Sequence, residues 1–418
     1  MSVQRGATAG GEETERILTC GRMVTPHRLM ASAWIAWRGE TITRIGCGVP
    51  PAEPDWEAPG CTVVPGFIDT HVHGGGGGSF DDGADSAREA SAYHRRRGTT
   101  TLVASLVSDQ VSGLERRICE LGGLVTSGEL AGIHLEGPWL SHEHRGAHVD
   151  EALSSPMHDD VDRLLGAGTG VLATVTLAPE LPGGLDAVRR VTEAGVRAAV
   201  GHTAATYDQT VAAVHAGVSI GTHVFNAMRP IHHREPGPAV ALMERPEVFA
   251  EVVADGRHVH PAMIRQLAAN PARLVLVSDA ISAAGQPDGM YALGGLDVEL
   301  RDGRPLIAGS CTLAGSTLTL SEAVRFCVGP VGLDLQQAVA AATATPAALL
   351  GRDDVGVLEA GRRADLVLVD AELHVGGVLV GGRWEPGMEP DPAVTVNTGL
   401  GAASGGMHGA IPARTEGN

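Results

Sequence analysis

Eight short apolar runs lie between residues 63 and 280, and stretches typical of amphipathic helices separate several of them. Continuous apolar runs, unlike alternating ones, suit parallel strands that are covered on both faces. Eight such strands alternating with helices predict an α/β fold, a TIM-like (β/α)8 barrel over residues 63–354. A doubly wound sheet is the alternative, although no G-x-G-x-x-G motif follows an early strand. The predicted strands are residues 63–69, 99–105, 131–136, 171–178, 196–202, 218–223, 248–255 and 273–279.

The segments on either side of the predicted barrel have a different character. Residues 16–62 are rich in Thr, Ile, Val and Trp with turn residues between, and residues 355–390 repeat that style. We expect the two segments to combine into one small β-sandwich domain, which leaves the barrel as an insertion. The remaining ends, residues 1–15 and 391–418, are predicted to be disordered tails.

The charge balance excludes several classes of partner. A formal net charge of -18 and a pI of about 5.4 argue against nucleic acid, because phosphate contacts need clustered cations. No run of about 18 uncharged apolar residues predicts a membrane span, and the start of the chain lacks the apolar segment of a signal peptide. We therefore expect a cytoplasmic protein with neither a nucleic-acid nor a membrane partner.

Residues of metal-ligating type follow the predicted strands, where TIM barrels carry their catalytic groups. Side chains at positions i and i+2 of a strand face the same side, so His71 and His73 can converge on one cation. A lone His-x-His pair is weak evidence for a metal site. The candidates at strand ends are His71, His73, Glu136, His202, His223, the segment Asp255 to His258, and Asp279.

Each candidate has an alternative interpretation when it is taken alone. His202 and His223 could be capping histidines or hydrogen-bonded core histidines. Asp279 could be the N-cap of the next helix, and Glu136 could be a solvated loop carboxylate. Taken together at the ends of one barrel's strands, they predict an open nitrogen and oxygen metal site of catalytic type.

Several motifs in order resemble the amidohydrolase superfamily, and within it the family of N-acetylglucosamine-6-phosphate deacetylases, over about residues 16 to 385. The matching stretches are PGFIDTHVHGGGG, HLEGPWLS, GHTAATYDQ, THVFNAMRP, HHREPG, DGRHVHP, VSDAISAAG and GVLEAGRRADLVLVD. The resemblance implies hydrolysis of the acetamide of N-acetyl-D-glucosamine 6-phosphate to D-glucosamine 6-phosphate and acetate.

The chain contains no lysine, which narrows the kind of metal site. Many members of this superfamily bridge two metals with a carboxylated lysine, and this chain cannot. The resemblance implies one firm divalent cation on Glu136, His202 and His223, and it allows a second on His71, His73 and Glu136. The ion is expected to be Zn2+ or Fe2+, since imidazole and carboxylate suit both.

The resemblance also implies roles for residues around the cation. Asp279 is expected to act as general base and then as general acid, and His148 to polarise the acetyl carbonyl. The phosphate group is expected to meet His258 and Arg234. The implied substrate-binding residues are Ala147, His148, Asn226, Ala227, Arg234, Asp255, His258, Leu313, Ala314 and Gly315.

Arg234 has a second interpretation as well, a surface ion pair with Glu235. In the family the matching arginine reaches in from the neighbouring subunit, so the resemblance implies a homodimer with Arg234 at the partner's active site. Two other functions stay open: a hydrolase of another N-acyl substrate, such as N-acetylgalactosamine 6-phosphate or an N-acyl amino acid, and an inactive sugar-phosphate sensor.

Overall fold

The structure is a computed structural model, and it describes residues 14–390. Residues 1–13 and the whole predicted tail 391–418 lie outside the described residues. The last residue of the predicted N-terminal tail, Glu15, accepts a hydrogen bond of 2.6 Å from Thr43 Oγ1 at the start of the small domain.

The described residues form twenty strands and ten α-helices. The strands are β1 Arg16–Val24, β2 Leu29–Arg38, β3 Thr41–Cys47, β4 Trp56–Pro65, β5 Phe67–Val72, β6 Gly74–Gly75, β7 Gly78–Ser79, β8 Thr99–Leu106, β9 Gly132–Glu136, β10 Leu172–Leu177, β11 Arg197–Val200, β12 Val218–Gly221, β13 Phe249–Val253, β14 Leu274–Val277, β15 Gly289–Leu293, β16 Leu296–Arg301, β17 Arg304–Ile307, β18 Leu366–Val369, β19 Val375–Val380 and β20 Arg383–Trp384. The α-helices are α1 Ala84–Arg95, α2 Val111–Thr126, α3 His158–Ala167, α4 Gly184–Glu193, α5 Tyr207–Ala216, α6 Gly237–Met243, α7 Pro261–Leu267, α8 Leu320–Phe326, α9 Leu335–Ala341 and α10 Ala344–Leu350.

The eight parallel strands β5 and β8 to β14 form the barrel, in the order of the chain. Their residues are almost all buried, as expected for strands covered by helices on one face and by the barrel interior on the other. The predicted (β/α)8 barrel is therefore confirmed. The bounds of one predicted strand, residues 63–69, are wrong, because these residues belong to two different sheets. Residues 63–65 pair with β18 in the small domain, and the barrel strand begins at Phe67.

The seam between the last and first barrel strands is closed by hydrogen bonds around a buried carboxylate. The backbone N–H of Asp279 donates to the carbonyl of His71 at 2.9 Å. The Asp69 carboxylate accepts from the backbone N–H of His71 at 3.3 Å and from that of Ser278 at 3.2 Å. Burial raises the pKa of Asp69 to about 7, although the hydrogen bonds from Ser278 oppose that rise. The seam thus joins strand β5, which carries His71, to the loop after β14, which carries Asp279.

Both chain ends build the small domain, as predicted. Its seven strands form one sheet in the order β20-β19-β18-β4-β1-β2-β3, in which only the β1 and β4 pair is parallel. Trp37 on β2 donates its indole N–H to the carbonyl of Gly382 beside β20 at 3.0 Å, although four strands separate β2 from β20 in the sheet. The sheet therefore curves around its own core. The barrel is inserted between β4 and β18.

A three-stranded antiparallel sheet, β15 to β17, follows the last barrel strand. Its apolar residues, Leu293 among them, pack against Val107 and Ile281 from the loops after β8 and β14. Arg257, after β13, donates to the carbonyls of Gly303 and Asp302 at the β16–β17 turn. These contacts hold the small sheet at the carboxyl ends of the barrel strands. No helix in residues 14–390 is long and apolar enough to span a membrane.

Candidate metal and catalytic site

A cavity of about 340 Å³ opens at the carboxyl ends of the barrel strands. The loops after the strands, together with β15, form its walls. No arginine lines it among the described residues, so its polar side chains are imidazoles, carboxylates, one amide and one hydroxyl. The lining residues are His73, Val107, Glu136, Glu143, His144, Gly146, Ala147, His148, His202, His223, Asn226, Ala227, His258, Asp279, Leu293, Thr312, Leu313 and Gly315.

Glu136, His202 and His223 meet at the centre of this cavity. Nε2 of His202 lies 3.1 Å from Glu136 Oε1, and Nε2 of His223 lies 3.0 Å from the same oxygen. The two imidazole nitrogens are 3.0 Å apart. Three residues that are distant in the sequence therefore direct one nitrogen or oxygen each at a common point, as the strand-end pattern predicts.

The two histidines of β5 and its end complete the cluster on the other side of Glu136. Nε2 of His73 lies 3.1 Å from Glu136 Oε2, and Nε2 of His71 lies 3.4 Å from Glu136 Oε1. Oδ1 of Asp279 is 3.4 Å from His73 Nε2 and 3.6 Å from His71 Nε2. Glu136 is thus shared by both groups of histidines.

Hydrogen bonds at the second ring nitrogen distinguish His202 from His148. Nδ1 of His202 lies 3.0 Å from the carbonyl of His144, which can only accept, so Nδ1 carries the proton and Nε2 presents a lone pair. Nδ1 of His148 instead accepts from the backbone N–H of Ser108 at 3.3 Å. The Nε2 of His148 therefore carries a proton, and it points at Glu136 Oε2 from 3.4 Å. Nε2 of one histidine thus presents a lone pair, and Nε2 of the other presents a proton.

The electrostatics of the cluster keep its carboxylates ionised. Burial alone would raise the pKa of Glu136, but the imidazoles around it, His71 first, outweigh burial and hold that pKa well below its usual value. Burial acts in the same way on Asp279, yet a hydrogen bond from His73 and the charge of His71 lower its pKa. Burial also opposes charge on His73, whose contacts with Asp279 and Glu136 nevertheless raise its pKa to about 9.

The donor set fits a divalent cation. Imidazole nitrogens and a carboxylate converge, all buried, and two groups of three can each hold one ion: His71, His73 and Asp279, and Glu136, His148 and His202. The hydrogen bond from Ser108 makes Nε2 of His148 a donor, whereas Nε2 of His223 lies 3.0 Å from both Glu136 Oε1 and His202 Nε2.

The backbone at the site is unusual. His202, His223, Ala227 and Asp279 all have positive φ angles, of 47°, 27°, 48° and 51°. Such conformations are uncommon outside glycine and cost about 1–3 kcal/mol each, and they persist where the surroundings impose them. They explain why β11, β12 and β14 end before these residues: the chain turns sharply, and the turn directs each side chain or backbone group into the cavity.

The predicted substrate residues lie mostly around the cavity. Ala147, Asn226, Ala227, His258, Leu313 and Gly315 line it, and Ala314 is buried between the last two. Asp255 does not line it. Its Oδ2 lies 2.7 Å from His258 Nδ1, and its Oδ1 accepts from the backbone N–H groups of Arg257 and His258 at 2.8 Å each. Asp255 therefore orients His258.

Arg234 lies apart from the cavity of its own chain. Its side chain is exposed, and Nη1 lies 2.7 Å from His233 Nε2. Glu235 does not pair with it, since the Glu235 carboxylate accepts a hydrogen bond of 2.8 Å from the backbone N–H of Tyr207. The surface ion pair considered from the sequence is thus absent among the described residues.

Two buried acids at the site were not among the predicted residues: Asp69 at the barrel seam and Glu251 on β13. Oε1 of Glu251 accepts a hydrogen bond of 2.8 Å from Thr70 Oγ1, and Oε2 lies 3.4 Å from His71 Nδ1. Glu251 has a signal in the sequence, because it is a carboxylate inside an otherwise apolar strand, but strand-end reasoning overlooks it since it precedes the end of that strand. Asp69 is the last residue of the predicted strand 63–69, so the same reasoning could have found it.

A barrel whose strand ends carry clustered histidines, a glutamate and an aspartate defines a class of hydrolases. Residues 62–397 match the amidohydrolase family, and the chain belongs to this family, whose members typically depend on divalent metals.

Within this family, the chain is similar to deacetylases of amino-sugar phosphates. The N-acetylgalactosamine-6-phosphate deacetylase of Escherichia coli O157:H7 is 38% identical over 328 residues, 76% of this chain and 86% of the relative. The N-acetylglucosamine-6-phosphate deacetylase of Vibrio furnissii is 35% identical over 328 residues, 77% of this chain and 82% of the relative. Among solved structures, a mutant N-acetyl-D-glucosamine-6-phosphate deacetylase from Mycobacterium smegmatis in complex with N-acetyl-D-glucosamine-6-phosphate is 45% identical. It has a TM-score of 0.87, and the match covers 89% of this chain and 99% of that one.

Proposed function

We propose that this protein hydrolyses the acetamide of N-acetyl-D-glucosamine 6-phosphate to D-glucosamine 6-phosphate and acetate. The observation that carries the proposal is the pairing of a donor and a base at one cluster. His148 presents a protonated Nε2, which lies 3.4 Å from Glu136 Oε2. Asp279 presents an ionised carboxylate, whose Oδ1 lies 3.6 Å from His71 Nε2. The similarity to deacetylases of amino-sugar phosphates supplies the substrate class.

The proposed cation site consists of Glu136, His202 and His223, with a second site on His71, His73 and Glu136. The cation is Zn2+ or Fe2+, both of which accept imidazole and carboxylate ligands. Such a cation polarises a carbonyl oxygen and lowers the pKa of water from about 15.7 to about 7 in the best zinc sites. The hydrogen bond from His202 Nδ1 to the His144 carbonyl keeps the ligand nitrogen unprotonated.

Asp279 moves the proton in this mechanism. Its pKa lies below the usual value, so at neutral pH it is ionised and able to take a proton from the attacking water. It then delivers that proton to the amide nitrogen as the C–N bond breaks. An amine leaves far more readily once protonated, so one carboxyl group serves both steps.

His148 stabilises the oxyanion. The backbone N–H of Ser108 occupies its Nδ1, so the proton on Nε2 is available to the acetyl oxygen. Donors of this kind are worth about 10²- to 10³-fold in turnover. The sugar would lie against the other lining groups, with its phosphate at His258, which Asp255 orients.

We also propose that the active protein is a homodimer in which Arg234 reaches the partner's cavity. Two observations support this: Arg234 is exposed and lies apart from the cavity of its own chain, and no arginine lines that cavity among the described residues. A planar guanidinium suits a phosphate group.

The test is a comparison of kcat/KM for four acetamides with the purified protein, by release of free amine. We expect N-acetylglucosamine 6-phosphate to exceed both unphosphorylated N-acetylglucosamine and an N-acetyl amino acid by at least about tenfold, since hydrogen bonds to a charged group contribute about 1.5–3 kcal/mol. N-acetylgalactosamine 6-phosphate is the fourth, because one relative carries that name. A higher kcat/KM for it, or no gain from phosphate, would contradict the proposed substrate.

A further inference from the structure

Glu251 is a buried acid that the proposed mechanism does not use. It sits in the middle of β13 with 3% of its surface exposed, among the apolar residues of that strand. Its carboxylate contacts two side chains of β5. Thr70 Oγ1 donates to Oε1 at 2.8 Å, and His71 Nδ1 lies 3.4 Å from Oε2. Among residues 14–390, His71 is the only basic side chain that forms an ion pair with it.

This placement is costly for the fold. A carboxylate taken out of water loses hydration that one hydroxyl and one imidazole replace only in part. The rest of β13 pairs with its neighbours through backbone groups and apolar packing, which do not need an acid at this position. A buried acid directed at a single imidazole is better explained by what it does to that imidazole.

The effect on His71 follows from the chemistry of imidazole. A carboxylate 3.4 Å from Nδ1 can only accept, so it favours the proton on that nitrogen and the lone pair on Nε2. Nε2 of His71 lies 3.1 Å from His73 Nε2 and 3.4 Å from Glu136 Oε1. At His202 the carbonyl of His144 likewise favours the proton on Nδ1, but a carbonyl group carries no net charge.

We propose that Glu251 is a positioning residue, which holds His71 with Nε2 directed at Glu136 and His73 and so forms the second cation site. The inference rests on the proposed function, since it assigns a partner to one of the two proposed sites. Carboxylates behind a ligand histidine typically change metal affinity by about 10- to 100-fold. The first site, on Glu136, His202 and His223, does not touch Glu251.

The test counts cations rather than turnover. Protein stripped with a chelator is titrated with Zn2+ alone, and bound zinc is measured by elemental analysis after desalting. Three variants are compared with wild type. Glu251→Met removes the acceptor at similar volume, and Glu251→Gln keeps an amide oxygen without charge. Asp365→Asn is the matched control: Asp365 is equally buried, but it pairs with Arg363 in the small domain at 3.1 Å.

We expect wild type and Asp365→Asn each to bind two zinc ions, one tightly and one more weakly, with the same two affinities in both proteins. In Glu251→Met the weaker ion should bind about 100-fold less tightly, and in Glu251→Gln about tenfold less, while the tighter ion is unchanged in both. Equal affinities in wild type and Glu251→Met would overturn the inference, and so would a single zinc ion in wild type. If either result were found and zinc-loaded wild type still deacetylated the substrate, the proposed function would stand and only the role of Glu251 would fall. If wild type bound two zinc ions but did not deacetylate the substrate, only the proposed function would be contradicted.

Discussion

His148 and His202 show how the backbone assigns chemistry at the residue scale. Both imidazoles lie in the same cavity beside the same carboxylate, and their ring centroids are 4.6 Å apart. Ser108 donates to Nδ1 of one, and Nδ1 of the other faces a carbonyl. The opposite tautomers that result leave a proton on Nε2 of His148 and a lone pair on Nε2 of His202, although nothing in either side chain differs.

This difference predicts opposite outcomes for the same substitution. His202→Asn should reduce bound cation, because it removes a ligand nitrogen. His148→Asn should leave cation content unchanged and lower kcat by about 10²- to 10³-fold, because it removes a donor to the oxyanion. Elemental analysis and steady-state kinetics on the two variants check both statements. Loss of cation from the His148 variant would show that His148 is a ligand.

Asp279→Asn isolates the proton-transfer step. Asparagine has the same shape and tolerates the positive φ of this position, so the fold and the cation on Glu136, His202 and His223 should persist. Without a base, kcat should fall by about 10²- to 10⁴-fold. The measurement is kcat beside zinc content. Retention of near-wild-type turnover would contradict the role of Asp279 in proton transfer.

The sequence could predict which side chains gather at the cavity, but not what each one does. The ends of parallel strands meet at one edge of a barrel, so Glu136, His202, His223 and Asp279 were recognisable by position alone. The tautomer of His148 depends on Ser108, forty residues away in the chain, and spacing carries no trace of such a contact.

At the scale of elements, α1 is joined to the glycine-rich segment after β5 through His94. Nε2 of this buried histidine lies 2.9 Å from the carbonyl of Gly74. A Cβ at Gly75 would stand 2.7 Å from the same nitrogen, so the ring fits only because that position is glycine. Gly75 is therefore needed for close packing of the helix on the loop.

His94 makes stability depend on pH. Burial lowers the pKa of His94 from 6.5 to about 4, although the contact with Gly74 opposes this. Between these two pH values the unfolded chain is therefore protonated at His94 and the folded chain is not. The stability it contributes is complete above about pH 6.5 and is lost as the pH falls toward 4. Between pH 7 and 5 the loss is about 2 kcal/mol, at roughly 1.4 kcal/mol per pKa unit.

The check is urea denaturation of wild type and His94→Gln at pH 7 and pH 5, both without added cation. Glutamine can still donate to the Gly74 carbonyl but does not titrate. The free energy of unfolding of wild type should therefore fall by about 2 kcal/mol more than that of the variant. An equal fall in both proteins would show that His94 is not the titrating group.

Strand boundaries show where sequence patterns stop being informative. Residues 63–69 form one apolar run, yet the first three residues pair with β18 and the last three belong to β5. Both sheets are apolar there, so hydropathy does not mark the change. The division falls at Gly66, whose N–H bonds to the carbonyl of Asp365 and whose missing Cβ admits Thr100.

At the scale of the whole molecule, the small domain and the barrel are linked at both ends of the insertion. Strand β4 leads directly into β5, and β18 returns beside β4. This arrangement was predictable because the two flanking segments share a composition that differs from that of the barrel. The sheet β15 to β17 at the mouth was not predicted, since residues 289–307 break the alternation of strand and helix.

A mixed dimer tests whether Arg234 acts across subunits. Arg234→Ala and Asp279→Asn each impair every site of a homodimer. If Arg234 serves the partner, a mixed dimer contains one complete site, with Asp279 from one chain and Arg234 from the other. Mixed dimers, purified through two different tags after co-expression, should then have about half of the wild-type activity at low substrate, because one of two equivalent sites is restored.

Activity no higher than that of the Arg234→Ala homodimer would instead show that Arg234 serves its own chain or neither. The resemblance to the deacetylase family implies this action in trans, and two features of the structure are consistent with it. The cavity that would receive a phosphate group has no lining arginine among the described residues, and the side chain of Arg234 is exposed beside His233. A negatively charged substrate in a protein of net charge -18 needs a cation near its phosphate, and a second copy of the chain can supply it.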